Sequence, residues 1–131
     1  MIEYTEDMIE YTVKVYPNGS KSWYLNDKLH REDGPAIEYA DGNKFWFLND
    51  KLHREDGPAM EGADGNKFWH LNGKLHREDG PAMEWANGSK SWFLNDEEVT
   101  QEEHKRQTSP IIEMTVAEIS KALGKQVKVV E

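Results

Sequence analysis

The most conspicuous polar feature of the 131-residue chain is a His-Arg-Glu-Asp quartet that occurs at 30–33, 53–56 and 76–79. Imidazole and carboxylate groups gathered at one point could bind a metal ion or serve as acid and base. If each copy lies in one loop of a sheet with two strands per repeat, equivalent residues are about 10 Å apart. Zinc ligands must each bring a nitrogen within about 2.1 Å of the ion, so the spacing predicts no metal site.

A second series of carboxylates recurs with the same period, and paired carboxylates can hydrolyse glycosidic bonds. Its members are Glu38, Glu61 and Glu84. A pitch of about 10 Å slightly exceeds the roughly 5 to 9.5 Å between the two acids of glycosidases, so a solvated face explains the series better. The sequence contains no phosphate-binding glycine loop and no Ser-His-Asp nucleophile motif. We therefore expect no catalytic residue, no cofactor and no enzymatic activity.

Two roles remain open for the quartet. In the first, Arg31 pairs with acids of the neighbouring loop and links successive repeats, while the following Gly-Pro closes the turn. In the second, the quartets form an exposed charged comb that docks a partner at several points. The sequence alone allows either role.

Charge and composition exclude several classes of protein. The chain has 16 basic and 25 acidic residues, a net charge of −9 and no cysteine, so it forms neither a disulfide nor a thiolate metal site. Phosphates attract clustered Lys and Arg, so the acidic balance argues against direct binding to nucleic acid or anionic lipid. No apolar stretch approaches the roughly 18 to 20 residues of a spanning helix, and the acidic N-terminus lacks a signal pattern. These features predict a cytoplasmic protein.

The quartets belong to a repeat array. The octet Leu-His-Arg-Glu-Asp-Gly-Pro-Ala begins at Leu29, Leu52 and Leu75. A Trp-x-Leu-Asn motif begins at Trp23, Trp46, Trp69 and Trp92, again with an interval of 23 residues. A fixed period of this length indicates a repeat architecture. We expect an irregular or edge-strand segment over 1–16, repeats over 17–96 and a C-terminal helical and βαβ-like cap over 97–131.

Each repeat has the pattern of a β-hairpin. Asp-Gly or Asn-Gly pairs, which supply the positive φ angles of tight turns, stand at 18–19, 41–42, 64–65 and 87–88. A short apolar run precedes each pair, and an aromatic run follows it. The predicted fold class is mainly β: an antiparallel hairpin meander of about eight strands with a small C-terminal α/β cap.

The side-chain alternation predicts which face is buried. If Asp41-Gly42 forms a two-residue turn, Tyr39 lies opposite Lys44 and Ile37 opposite Trp46, and opposed residues share a face. The predicted core row is Trp23, Trp46, Trp69, Trp92, Leu25, Leu48, Leu71, Leu94, Ile37, Met60 and Met83. Trp46 and Trp69 would then be buried rings. The opposite face would carry Ala36, Glu38, Phe45 and Phe47.

One position interrupts the row of rings. Gly62 stands where the flanking repeats have Tyr39 and Trp85. Either Trp69 and its neighbours close the gap, or a shallow notch there accepts a bound ring or a partner side chain.

The tail departs from the repeat. Thr100-x-x-Glu103 is a capping box that predicts a helix to about Gln107. Thr115-x-x-Glu118 is a second capping box, for a helix that ends before Gly124. Strand-like segments at 111–114 and 126–130 flank this second helix, which would complete a βαβ-like cap.

The 23-residue period, the His-containing loop and the Tyr-Ala-Asp-Gly turn at 39–42 resemble the membrane occupation and recognition nexus (MORN) repeat, over residues 11–96. The loop Leu-His-Arg-Glu-Asp-Gly-Pro is longer and poorer in glycine than the usual MORN loop, and Trp stands where that family favours Tyr. The repeats and the tail also resemble small bacteriophage and prophage proteins. The resemblance implies a sheet scaffold for partner binding and does not imply catalysis.

The predicted function is a non-enzymatic protein-binding module, a phage or prophage accessory protein that modulates a host protein, for example by inhibiting a defence nuclease. The predicted contact residues are Phe45, Phe47, Phe68, His70 and Phe93, with Arg54 and Arg77 at the rim, because aromatic and Arg side chains commonly anchor interfaces. A competing arrangement covers these rings with Leu29, Leu52 and Leu75, or with the C-terminal helix. Two further functions stay open: an acidic DNA-mimic decoy and a lipid-associated MORN scaffold.

Overall fold

The computed structural model describes residues 8–109 and 115–124. These residues are mainly β, as the sequence predicts, and two short helices follow the antiparallel sheet. The elements are β1 (Thr12–Val15), β2 (Lys21–Leu25), β3 (Lys28–Leu29), β4 (Ile37–Glu38), β5 (Lys44–Phe45), β6 (Phe47–Leu48), β7 (Lys51–Leu52), β8 (Met60–Glu61), β9 (Lys67–Phe68), β10 (His70–Leu71), β11 (Lys74–Leu75), β12 (Met83–Glu84), β13 (Lys90–Leu94), β14 (Glu97–Val99), α1 (Gln101–Thr108) and α2 (Val116–Leu123).

The main sheet has ten strands and is a meander. Its order is β1-β2-β4-β5-β8-β9-β12-β13-β14, with β3 also paired to β2. Each middle repeat therefore adds two strands, first β4 with β5 and then β8 with β9. The strand count exceeds the prediction because the long strand of each middle repeat is interrupted at Trp46 or Trp69 and because a further strand follows it.

This further strand closes a second hairpin in each repeat. Asn49 and Asp50 have φ angles of 49° and 65°, and they connect β6 to β7 as a two-residue turn with both residues in the left-handed region. The amide of Arg31 donates to the Phe47 carbonyl (3.1 Å), and the amide of Asp50 donates to the Leu29 carbonyl (2.9 Å). Backbone hydrogen bonds thus join the second hairpin of one repeat to the preceding repeat. The loop predicted from Leu-His-Arg-Glu-Asp-Gly-Pro, residues 52–58 in this repeat, is therefore shorter than expected, because Leu52 belongs to β7.

The first turn of the repeat is longer than predicted, and this changes the register. The Gly42 amide donates to the Tyr39 carbonyl, and the Tyr39 amide donates to the Asn43 carbonyl. Gly42 has a φ of 99°, so the loop contains three residues and ends in a left-handed glycine. Ile37 consequently pairs with Phe45 rather than with Trp46. A shift of one residue moves every side chain of a strand to the other face, so the predicted pairings and core row are wrong.

The corrected register gives the main sheet two distinct rows of directly paired residues. One row, which we call the apolar row, runs Ser22, Ile37, Phe45, Met60, Phe68, Met83 and Ser91. The other, the charged row, runs Lys21, Glu38, Lys44, Glu61, Lys67, Glu84 and Lys90. Opposite charges alternate along it, and such cross-strand pairs stabilise a sheet. The glutamates predicted to form a solvated face therefore have lysine neighbours on both sides.

Alanine, not tryptophan, occupies the most buried positions. Among the described residues the fully buried hydrophobic side chains are Ala36, Ala59 and Ala82, each with 0% exposure. Trp46 and Trp69 are half-buried, so the prediction that their rings are buried core is wrong. Each buried alanine lies beside the tryptophan row through the backbone, since the Trp46 amide donates to the Ala59 carbonyl at 2.7 Å and the Trp23 and Trp69 amides donate in the same way to Ala36 and Ala82.

The two ends of the array differ. At one end β1 pairs with β2. At the other end β14 pairs with β13 across a turn at 95–96 whose two residues are left-handed, like those at 49–50. The predicted helix starts are confirmed, since Thr100 accepts the Glu103 amide as the N-cap of α1 and Thr115 accepts the Glu118 amide as the N-cap of α2. The strands predicted at 111–114 and 126–130 lie outside the described residues. Neither helix has the length and apolar run that a membrane span needs.

Candidate binding surfaces

Each quartet arginine lies over a tryptophan of its own repeat. The Arg54 guanidinium carbon is 4.0 Å from the centre of the Trp46 ring, a cation–π geometry. Its Nε donates to Asp56 (3.0 Å), and its Nη1 donates to the Pro58 carbonyl (3.1 Å) and to Glu61 (3.0 Å). Arg31 and Arg77 repeat the stacking at 4.0 and 3.9 Å.

These contacts show which acids the quartet arginines pair with. Arg31 pairs with Asp33 of its own loop at 3.0 Å and lies 3.9 Å from Glu38 of the following strand. The prediction that it pairs with acids of the neighbouring loop is therefore wrong. The arginine still connects repeats, because Trp46 and Glu61, the two ends of the Arg54 network, belong to consecutive ones.

The quartet histidines make a different connection between repeats. Nδ1 of His30 accepts the Asn49 amide at 3.0 Å, and His53 and His76 accept the amides of Asn72 and Asn95 at 2.9 and 3.0 Å. The ring proton of the neutral imidazole therefore lies on Nε2. Within residues 8–109 and 115–124, His, Asp and Glu side chains nowhere form a group of three able to hold a metal ion.

Side-chain acceptors of the turns add further bonds between repeats. Asp50 accepts the Leu29 amide at 2.7 Å, and Asp96 accepts the Leu75 amide at 2.6 Å. Gly73 stands at the equivalent position of the intervening repeat and has no side chain to make this bond. The sequence patterns did not predict these bonds, although Asn72-Gly73 is itself a hairpin-turn signal.

The acidic residues of the quartets are exposed, and they line two grooves. The Glu55 and Asp56 side chains are 84% and 88% exposed. Successive loops enclose grooves of about 640 and 650 Å³, whose floors are Trp46 with Leu48 and Trp69 with Leu71. We call these the inter-loop grooves. Each is lined by four carboxylates and two guanidinium groups.

The predicted contact residues do not share one surface. Phe45 and Phe68 belong to the apolar row, whereas Arg54 and Arg77 lie with the charged row through their bonds to Glu61 and Glu84. The prediction that the arginines form the rim of the phenylalanine surface is therefore wrong, and the one-residue change of register is the cause.

The other three predicted residues lie in the second hairpins. Phe47 pairs with Leu52 and His70 with Leu75, while Phe93 pairs with Glu98. All three predicted side chains are half-buried. The leucines of the competing arrangement thus lie directly beside two of these side chains.

His70 has an unusual environment. Its Nδ1 is buried and has no hydrogen-bond partner. Burial lowers the pKa of His70, and this outweighs the opposing effects of the Phe68 backbone and the Asp96 carboxylate. The equivalent residues Tyr24, Phe47 and Phe93 are aromatic. His70 therefore serves as a neutral ring in an aromatic position.

The gap at Gly62 is partly closed. Tyr39 contacts Phe45 edge-on with ring centres 5.7 Å apart, and Trp85 contacts Phe68 in the same way at 5.8 Å. The Asp64 carboxylate lies directly beside Gly62, in the space that a β-carbon would take. Neighbouring side chains therefore fill much of the space around Gly62, with Asp64 rather than Trp69 closest to it.

Comparison with family models, with curated proteins and with solved structures gave no significant match. The resemblance to MORN repeats and to phage proteins therefore stays a prediction from the sequence.

Proposed function

We propose that the chain is a non-enzymatic protein-binding repeat module whose contact surface is the apolar row. The observation that carries the proposal is the half-burial of this row. Ile37, Phe45, Met60, Phe68 and Met83 each remain partly exposed, although they are paired across neighbouring strands. Aromatic and methionine side chains are frequent at protein interfaces, because they offer a large contact area and adapt to a partner's shape.

The partner in this proposal is a host protein, and the module acts in the host cytoplasm as a phage or prophage accessory factor. The sequence resemblance to small phage and prophage proteins supports this choice. Modulation would be steric, by occupying a surface of the partner, and inhibition of a defence nuclease is one example. The alternating signs of the charged row favour a protein partner over a DNA-mimic role, since a decoy gains from uniform negative charge.

Affinity capture with matched variants tests the proposal. Met60→Lys places a charge in the centre of the apolar row, and Lys67→Gln changes a neighbouring strand on the charged row. We expect wild type and Lys67→Gln to retain the same stoichiometric protein from a bacterial lysate and Met60→Lys to lose it. Circular dichroism must show that all three are folded. Retention by folded Met60→Lys, or no stoichiometric protein with wild type, would contradict the proposal.

A further inference from the structure

We propose that the two inter-loop grooves bind an extended cationic peptide segment that carries Lys or Arg at every third residue. This inference goes beyond the proposed function, because the grooves are lined by Trp46, Trp69 and the quartets rather than by the apolar row.

The charge of each groove favours a cation. The groove between the first and second loops is lined by the carboxylates of Glu32, Asp33, Glu55 and Asp56 and by two arginines. The arginines are already engaged, since Arg54 binds an aspartate, a glutamate and a carbonyl. Glu55 is less engaged: its carboxylate is 3.6 Å from His53 Nε2 and 84% exposed. Each groove thus keeps an excess of negative charge that a basic side chain would neutralise.

The floor of each groove suits the stem of such a side chain. Trp46 and Leu48 are half-buried there, so each leaves apolar surface open to the groove. Lys and Arg commonly lay their methylene groups on apolar surface while the charged end reaches carboxylates. The chain itself provides the precedent, because Arg54 lies over Trp46 with an acid at each end of its guanidinium group.

The spacing of the grooves specifies the spacing of the cations. Successive loops are separated by two strands of the main sheet, or about 9.6 Å. Three residues of a polyproline II segment span about 9.3 Å and return to the same side of the helix. Basic residues at i and i+3 would therefore enter the two grooves together, whereas adjacent basic residues are only about 3 Å apart along the axis and point in different directions.

Two isomeric peptides test the spacing. The spaced peptide is Pro-Pro-Arg-Pro-Pro-Arg-Pro-Pro, and the adjacent peptide is Pro-Pro-Pro-Arg-Arg-Pro-Pro-Pro, both with blocked termini and a fluorescent label. They have the same charge, composition and length. In anisotropy titrations at low ionic strength we expect the wild-type chain to bind the spaced peptide about tenfold more tightly, because only that peptide engages both grooves at once.

Two triple variants test the site. Glu32→Gln, Glu55→Gln and Glu78→Gln together remove the least engaged carboxylates of the grooves. Glu97→Gln, Glu98→Gln and Glu102→Gln change the net charge equally at exposed positions outside the grooves. We expect the groove variant to bind the spaced peptide about tenfold more weakly and the control to lose less than about threefold.

Two outcomes would overturn the inference. Equal affinity for the two peptides would show that the spacing of the basic residues does not affect binding. An equal loss of affinity in the two triple variants would show that net charge alone attracts the peptide. Unchanged melting temperatures in both variants would establish that a loss of binding does not come from unfolding.

Discussion

Replacement of Arg54 by lysine tests the network that connects the repeats, because it keeps the charge and removes the planar fork. Arg54 stacks on Trp46, donates to the Pro58 carbonyl and pairs with Glu61, whose side chain is 35% exposed. These three contacts contribute about 2–3 kcal/mol together, while the pair with Asp56, which is 88% exposed, adds little. A lysine reaches one partner at a time, so it keeps roughly a third of this stabilisation. We expect Arg54→Lys to lower the free energy of unfolding by about 2 kcal/mol.

Urea denaturation followed by tryptophan fluorescence measures this loss. Arg106→Lys is the matched control, since the Arg106 side chain is 77% exposed and pairs with Glu103 within α1. We expect the control to cost less than about 0.5 kcal/mol. If Arg54→Lys costs no more than Arg106→Lys, the stacked arginines do not hold the repeats together, and the reasoning is refuted.

Three further changes have expected outcomes in the same denaturation assay. Trp46→Ala should lower the free energy of unfolding by about 2 kcal/mol, because Trp46 is half-buried, whereas loss of a fully buried ring lowers it by roughly 3–5 kcal/mol. A loss above about 4 kcal/mol would restore the buried-ring interpretation. Asp50→Gly should lower the free energy of unfolding by about 1 kcal/mol more than Asp27→Gly, because of these two aspartates only Asp50 accepts a backbone amide of the preceding repeat within the described residues; equal losses would contradict this. The pKa of His70 is lowered on folding, so the unfolded chain binds more protons than the folded chain as the pH falls below 6.5. The contribution of this histidine to stability is therefore present above pH 6.5 and is lost as the pH falls. His70→Phe should therefore weaken the loss of stability between about pH 7 and pH 5.5, and an identical pH dependence in wild type and variant would contradict that role.

Sequence patterns predicted the repeat and both helices because the signals involved are local. The period is visible in the octets, and each capping box places its Thr and Glu within four residues. Thr100 and Thr115 accordingly cap α1 and α2 as predicted. Gly124 also ends α2 in the left-handed conformation, with a φ of 66°.

The register could not be read in the same way. Asp41-Gly42 matches a two-residue turn, but Gly42 ends a three-residue loop, and both arrangements use the same residues. The observed loop also makes a contact that lies outside the local pattern, since the Asn43 side chain accepts the Ala63 amide of the next repeat at 2.7 Å. The stacking of Arg54 on Trp46 joins residues that no helical or strand period pairs, so it became visible only with the loop in place.

The assignment of the two surfaces depends on this register, so the most direct test measures which ring lies beside Ile37 and Met60. In a nuclear Overhauser spectrum of the methyl-labelled chain we expect cross-peaks from the Ile37 and Met60 methyl groups to the Phe45 ring, since Phe45 pairs with both residues. Cross-peaks from these methyl groups to the Trp46 ring in place of Phe45 would contradict the account. Such cross-peaks would restore the two-residue turn. Trp46 would then lie on the face of the apolar row, and Phe45 would lie on the face of the inter-loop grooves.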